Sequence, residues 1–128
     1  MVVENVVAIL EEKREDLISG YIQQLLSDPQ LEALRKLSDP EFQGLAGYIL
    51  TSLNNFIDGD EPEISGCQDF IGNTCFQLSI PLLEAAYALY LLRDQVANVL
   101  TANGVEGELL NRTNRFFDSL VLELLRRY

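Results

Sequence analysis

The sequence predicts an all-α fold, a bundle of five to six helices with short connections, arranged as a bundle or a globin-like stack. Apolar residues recur every three or four positions along most of the 128 residues, which is the spacing of amphipathic helices. No segment shows the strict alternation of a half-buried strand. Two Asp-Pro pairs, Asp28-Pro29 and Asp39-Pro40, carry the residue types that begin helices. With 48% hydrophobic residues, residues 1–128 can form a single domain with a core that needs no disulfides.

The first half of the chain divides into three predicted helices. One long apolar row predicts a helix over residues 2–26. The first Asp-Pro pair predicts a short helix over 29–37, and the second predicts a longer one over 40–57. An acidic turn, residues 58–62, follows.

The second half is also helical. A helix is predicted over residues 63–76, and a long one follows a break, with Ser79 as its N-cap and Pro81 in its first turn. It is expected to run to about Thr101 and to end at Asn103-Gly104. The last helix begins near Gly107.

The last helix, residues 108–128, carries two adjacent apolar rows and no C-cap signal before residue 128. A surface helix that packs on one core usually needs one stripe, about 100° wide. The second row therefore predicts a further partner, either a second protomer or a following output domain. The residues expected at a homodimer interface are Leu110, Phe117, Val121, Leu124 and Tyr128.

Charge and composition exclude several function classes. The chain carries 20 acids against 9 bases, a net charge of −11, which disfavours nucleic acid and anionic membranes as partners. No apolar run is long enough to predict membrane insertion. Histidine is absent, which removes the common haem ligand, histidine metal sites and the usual general base. We therefore expect no enzyme activity, no cofactor and no metal.

Two further features bear on metal and redox chemistry. The acidic segment 58–63 departs from a calcium loop, because its central glycine position holds Glu63 and its twelfth position holds Asp69. Cys67 and Cys75, eight residues apart on one helix, would lie about 12 Å from each other, too far for a disulfide. Free thiols in a reducing cytoplasm are expected.

Two arginines lie on apolar rows. Arg14 follows Leu10 by four residues, and Arg93 falls among the apolar residues of the long helix. A core-facing arginine needs a counter-charge, which predicts either a salt bridge with Asp69 or Glu84 or an anion site at a cavity mouth. Aromatic side chains could complete such a pocket. The candidate ligand-binding residues are Arg14, Arg93, Tyr48, Phe70 and Tyr87.

Four blocks of the sequence, residues 9–26, 47–63, 77–100 and 112–128, resemble the N-terminal domain of RsbRD-type proteins. These are RsbT co-antagonists of the stressosome, and the same helical module precedes many bacterial sensor histidine kinases. The third block includes an arginine equivalent to Arg93. The resemblance implies a globin-like fold without haem, dimerisation, and input to a C-terminal kinase or STAS output domain.

Two functions follow as expectations. The first is a cytoplasmic sensor or interaction domain that dimerises and relays a signal through its last helix. The alternative is a small helical carrier of a fatty acid or other apolar ligand, with Cys67 or Cys75 as attachment points for a bilin. Large side chains are expected to fill most of the space that haem would occupy, leaving a small pocket. The expected fillers are Phe42, Phe56, Phe70, Phe76 and Tyr87.

Overall fold

Every regular element in the described part of the chain is helical. The computed structural model describes the backbone of residues 3–59 and 62–128 and the side chains of residues 5–59 and 65–128. The all-α prediction is confirmed, and a helix bundle is the arrangement observed; the finer, globin-like expectation stays a prediction. The elements are α1 (Val3–Glu12), α2 (Arg14–Ser27), a 3-10 helix (Leu34–Lys36), α3 (Asp39–Ile57), α4 (Pro62–Gln77), α5 (Leu82–Ala102) and α6 (Glu108–Arg127).

The core forms where α3 and α5 pack against helices on two sides. The α1 and α2 helices contact both of them, and α6 contacts both of them as well as α4. Phe116 and Phe117 of α6 are fully buried in an edge-to-face pair, with ring centroids 5.4 Å apart. The tilted ring of Phe56 lies 5.5 Å from that of Phe116 and ties α3 into the same cluster. The last helix is thus a central core element.

The predicted first helix is two helices, α1 and α2, which meet at Lys13. Its backbone has φ −95° and ψ 4°, outside the usual helical values. The i,i+4 hydrogen bonds still pass through the bend, from Lys13 N to Ile9 O and from Leu17 N to Lys13 O. The apolar periodicity therefore continues across the bend, and nothing in the pattern marks it.

The prediction of a short helix over residues 29–37 is wrong. The Asp28 carboxylate accepts a hydrogen bond from Gln30 N at 2.9 Å, which forms a turn, and only Leu34–Lys36 is a 3-10 helix. Glu84 of α5 accepts from the amides of Ala33 and Leu34 at 2.9 and 3.3 Å. The sequence predicts Asp28 as an N-cap, but its carboxylate accepts the hydrogen bond that closes a turn instead.

The N-terminus of α3 is a complete capping box. Ser38 Oγ accepts from Glu41 N, and the Glu41 carboxylate accepts from Ser38 N. The N-cap is therefore Ser38, one residue before the predicted Asp39. These hydrogen bonds lower the pKa of Glu41, because they favour its charged form.

Ser79 does not cap α5, contrary to the prediction. It adopts φ 56° and ends α4, where Ser79 N donates to Phe76 O and Ile80 N donates to Cys75 O at 3.0 Å. This is the Schellman arrangement, in which the residue after the helix takes a left-handed conformation. Pro81 stands at the N-cap of α5 without a side-chain hydrogen bond.

Candidate functional site

Arg14 lies between α2 and α3, where it bonds to uncharged oxygens. Its Nη2 donates to Gly47 O at 2.8 Å and to Thr51 Oγ1 at 3.0 Å. The predicted carboxylate partner is replaced by a backbone carbonyl and a hydroxyl. The side chain acts as a brace between two helices.

Arg93 is half-buried and forms an ion pair, as its position on an apolar row predicts. Its partner is Asp118 of α6, with Nε and Oδ1 3.5 Å apart, in place of Asp69 or Glu84. The guanidinium also lies 5.4 Å from the ring centroid of Tyr90. Asp69 is paired with Arg127 of α6 instead. Arg93 therefore joins α5 to α6 at the outer edge of their contact.

The three aromatic candidates lie in two separate places. Tyr48 of α3 stacks on Phe70 of α4, with ring centroids 4.0 Å apart. Tyr87 is exposed on α5, and the nearby Asp28 carboxylate raises its pKa. The five predicted ligand-binding residues thus do not line one pocket.

The centre of the bundle holds a small apolar cavity of about 40 Å³ between α2, α3, α4 and α5. Ala46 and Ala85, two of the small residues in this region, line it, and so do Tyr21 and Cys75; none of the five ligand candidates does. The Tyr21 hydroxyl donates its one proton to Ala88 O at 2.8 Å, so it has no further hydrogen to donate to a ligand. Burial raises the pKa of Tyr21, and it raises that of Cys75 to about 11.

The predicted filling side chains divide between core and surface. Phe42 is buried and lines the cavity, whereas Phe56 and Phe70 are half-buried. Phe76 is 77% exposed, and Tyr87 is exposed too, so neither fills the centre. The cavity is kept small mainly by aliphatic residues from several helices, such as Leu25, Ile49, Ile71 and Leu89.

Both cysteines are free thiols, as predicted from their spacing. Cys67 is fully buried, and Cys75 is buried beside Tyr21 at the cavity. Neither thiol is presented on the surface for attachment of a chromophore.

Two of the residues expected at a dimer interface belong to the core of the single chain. Phe117 and Leu124 are buried, so their side chains offer no surface to a partner. Leu110 and Val121 are half-buried against the core. Tyr128 is 47% exposed, and its hydroxyl donates to Ile80 O at 2.7 Å. Most residues of both apolar rows of α6 pack within its own bundle, because α6 contacts three other helices.

A different apolar surface lies on the outer side of α5 and α6. Leu83 and Leu122 are 82% and 58% exposed, and Tyr90 and Leu125 are about half exposed. The two helices run antiparallel, since Arg93 meets Asp118 and Tyr128 meets Ile80. We call the four exposed residues Leu83, Tyr90, Leu122 and Leu125 the α5–α6 face.

The sequence carries a signal for this face in large apolar residues that lie outside the apolar rows of α5 and α6. Leu122 falls outside both apolar rows of α6, on the side that a solvated helix fills with polar residues. Leu83 likewise lies away from the buried residues of α5, such as Ala85 and Leu92. Large apolar residues that fall off the core-facing rows are the pattern that would have found them.

Within the described residues, no helix is long and apolar enough to cross a membrane. In the same part of the chain, no cluster of acidic or cysteine residues is arranged to hold a metal ion. Comparison of the chain with protein-family models, with curated proteins and with solved structures found no match.

Proposed function

We propose that this domain is a signal-transduction interaction module that forms a homodimer through the α5–α6 face and relays a signal along α6. The observation that carries the proposal is the set of large apolar side chains exposed on both helices. Leu83 and Tyr90 are seven residues apart on α5, and Leu122 and Leu125 are three apart on α6, so each pair shares one side of its helix. Exposed apolar surface of this kind marks interaction sites.

The outer side of α5 and α6, on which the face lies, offers an area of the order that a dimer needs. The α5 and α6 helices have 21 and 20 residues, so each is about 30 Å long at ~1.5 Å per residue. With axes ~10 Å apart, the pair presents roughly 30 Å by 20 Å, or about 600 Å². Stable interfaces bury about 800 Å² per partner, which is the same order. Two such faces related by a twofold axis would form a four-helix arrangement.

The packing of α6 supports a role in relay. This helix contacts α3, α4 and α5, and Arg93 and Arg127 make ion pairs across two of these contacts. A change in the packing of α3, α4 or α5 would therefore bear on α6. We propose a kinase or STAS domain as the output and the cytoplasm as the compartment, following the RsbRD resemblance. The proposal assigns no catalytic residue.

The dimer is tested by light scattering and analytical ultracentrifugation from 5 to 500 μM. The variant Leu122→Glu/Leu125→Glu is expected to be monomeric, because carboxylates would be buried at the interface. Leu26→Glu, which changes an exposed leucine on α2, is the matched control and should remain dimeric. A wild-type monomer at 500 μM, or a dimer unaffected by the double substitution, would overturn the proposal.

Relay is tested by joining residues 1–128 to a histidine kinase core through linkers that grow by one residue. If α6 transmits a rotation or shift, autophosphorylation should rise and fall with a helical period of 3.5 to 3.6 residues. The monomeric variant should abolish this periodicity. Activity independent of linker length would count against relay through α6.

A further inference from the structure

We propose that the groove between α2 and the start of α3 binds a basic amphipathic helix of a partner protein. This surface lies apart from the α5–α6 face, and the inference does not depend on dimerisation. The groove encloses about 490 Å³ and is lined by Glu15, Ile18, Ser19, Ile22, Gln23, Leu26, Asp39 and Gln43.

The floor of the groove is an apolar strip on α2. Ile18, Ile22 and Leu26 are spaced four residues apart, so they follow one another along the helix for about 12 Å. Leu26 is 46% exposed, Ile18 is half-buried and Ile22 is buried beneath them. A strip of this length matches two turns of a helix with apolar residues at positions i, i+4 and i+7.

The rims of the groove are acidic. Glu15 and Asp39 line it, and no lysine or arginine does. Among the described residues, neither carboxylate takes part in an ion pair. The guanidinium of Arg14, which precedes Glu15, is directed to Gly47 and Thr51. Both carboxylates are exposed, so they are available to the cations of a partner.

The charge of the groove decides between possible occupants. A second copy of this chain is a poor occupant, because it has 20 acids against 9 bases to place beside two carboxylates, whereas the α5–α6 face proposed for the dimer is apolar. An uncharged ligand would gain nothing from the two carboxylates. A helix with leucine or isoleucine on one side would pack these side chains on the apolar strip. Lysine or arginine residues that flank them would pair with the carboxylates at the rims.

The probe is a capped 14-residue helix of leucine and lysine, with leucines spaced three and four apart. Binding is measured by isothermal titration calorimetry at 50 and 300 mM NaCl and located by amide chemical shifts. The shifts are expected in α2 and the first turns of α3. The same peptide with glutamate in place of lysine should not bind.

Variants separate the groove from general attraction to an acidic protein. Leu26→Ser should raise Kd at least tenfold, and Glu15→Gln/Asp39→Asn should raise Kd severalfold and reduce its salt dependence. The matched controls Leu78→Ser and Glu108→Gln, an exposed leucine and an exposed carboxylate elsewhere, should bind as the wild type does. Shifts spread over the whole surface, equal weakening in the controls, or no binding at 1 mM peptide would each overturn the proposal.

Discussion

At the residue scale, the Glu84 carboxylate holds the 3-10 helix against α5. It accepts hydrogen bonds from two backbone amides about fifty residues earlier in the chain. A backbone N–H group that loses its contact with water on folding and gains no hydrogen-bond acceptor costs free energy. Glu84 was expected as a counter-charge for an arginine, and its role as a cap on another segment could not be read from local sequence.

Glu84→Ala is expected to lower the free energy of unfolding by about 1–2 kcal/mol, the range for loss of a helix cap. Glu84→Gln retains an oxygen acceptor and should lose less. Urea denaturation at pH 7 measures both, with Glu108→Ala on the exposed start of α6 as the control. A loss at Glu84 no larger than that at Glu108 would contradict the assignment.

The buried Cys75 thiol makes stability depend on alkaline pH. Burial raises its pKa from 9.0 to about 11, so the folded state holds this proton more tightly than the unfolded chain does. Its contribution is fully present below pH about 9 and is lost as pH rises through about 11. The raised pKa of Tyr21 acts with the same sign.

We expect the free energy of unfolding to fall between pH 9 and 11, with a loss on the order of 2 kcal/mol from this thiol. Cys75→Val, which replaces the thiol with an apolar group, should flatten the decline. Urea denaturation at half-unit pH intervals measures the slopes. Equal slopes in the variant and the wild type would show that Cys75 is not responsible.

At the element scale, α4 and α5 end in the same backbone motif with different residues. Gly104 after α5 has φ 84°, and its amide donates to Thr101 O while Val105 N donates to Leu100 O. Ser79 occupies the equivalent position after α4. Ile80 and Val105, which follow these residues, are both buried. A side chain in the left-handed region is strained, and glycine is not.

Ser79→Gly should therefore stabilise the protein by about 0.5–1 kcal/mol, the strain relieved less the added entropy of the unfolded chain. Gly104→Ser is the reverse substitution in the same motif and should destabilise it by a similar amount. Thermal and urea unfolding of both variants check the pair. The prediction fails if the two substitutions change stability in the same direction.

At the scale of the whole molecule, the described residues leave little space for a ligand in the cavity between α2, α3, α4 and α5. Pockets that hold drug-sized ligands enclose about 300–1,000 Å³, whereas the central cavity measures about 40 Å³. A fatty-acid carrier would need the helices to separate. This bears against the carrier alternative and in favour of an interaction module.

We expect protein purified from a bacterial host to carry no long-chain lipid. Native mass spectrometry should show the mass of the chain or its dimer with no bound lipid, and a panel of C12–C18 fatty acids at 50 μM should not shift Tm. Ala46→Leu, which fills the cavity from α3, serves as the comparison for any weak binding. A lipid that copurifies at near-unit stoichiometry would contradict the prediction and restore the carrier function.

The sequence by itself determined the helical class, most of the long helices, the acidic composition and the free thiols. These features depend on local spacing, on capping residues and on composition, which a single chain displays directly. The starts of α3 and α6 follow from the Asp39-Pro40 and Gly107 signals to within a residue or two. The bend at Lys13 and the left-handed Ser79 do not, because glycine or proline marks neither.

Only the tertiary structure decided which apolar residues face inward. The sequence predicts Phe117 at a partner interface and leaves Leu122 outside both apolar rows of α6, yet Phe117 is fully buried and Leu122 is 58% exposed. Periodicity shows which residues share a side of a helix. Whether an α6 residue is buried depends on α3, α4 and α5, parts of which are distant in sequence. For the same reason, Arg14, Tyr48, Tyr87 and Arg93 lie on suitable faces without meeting at one site.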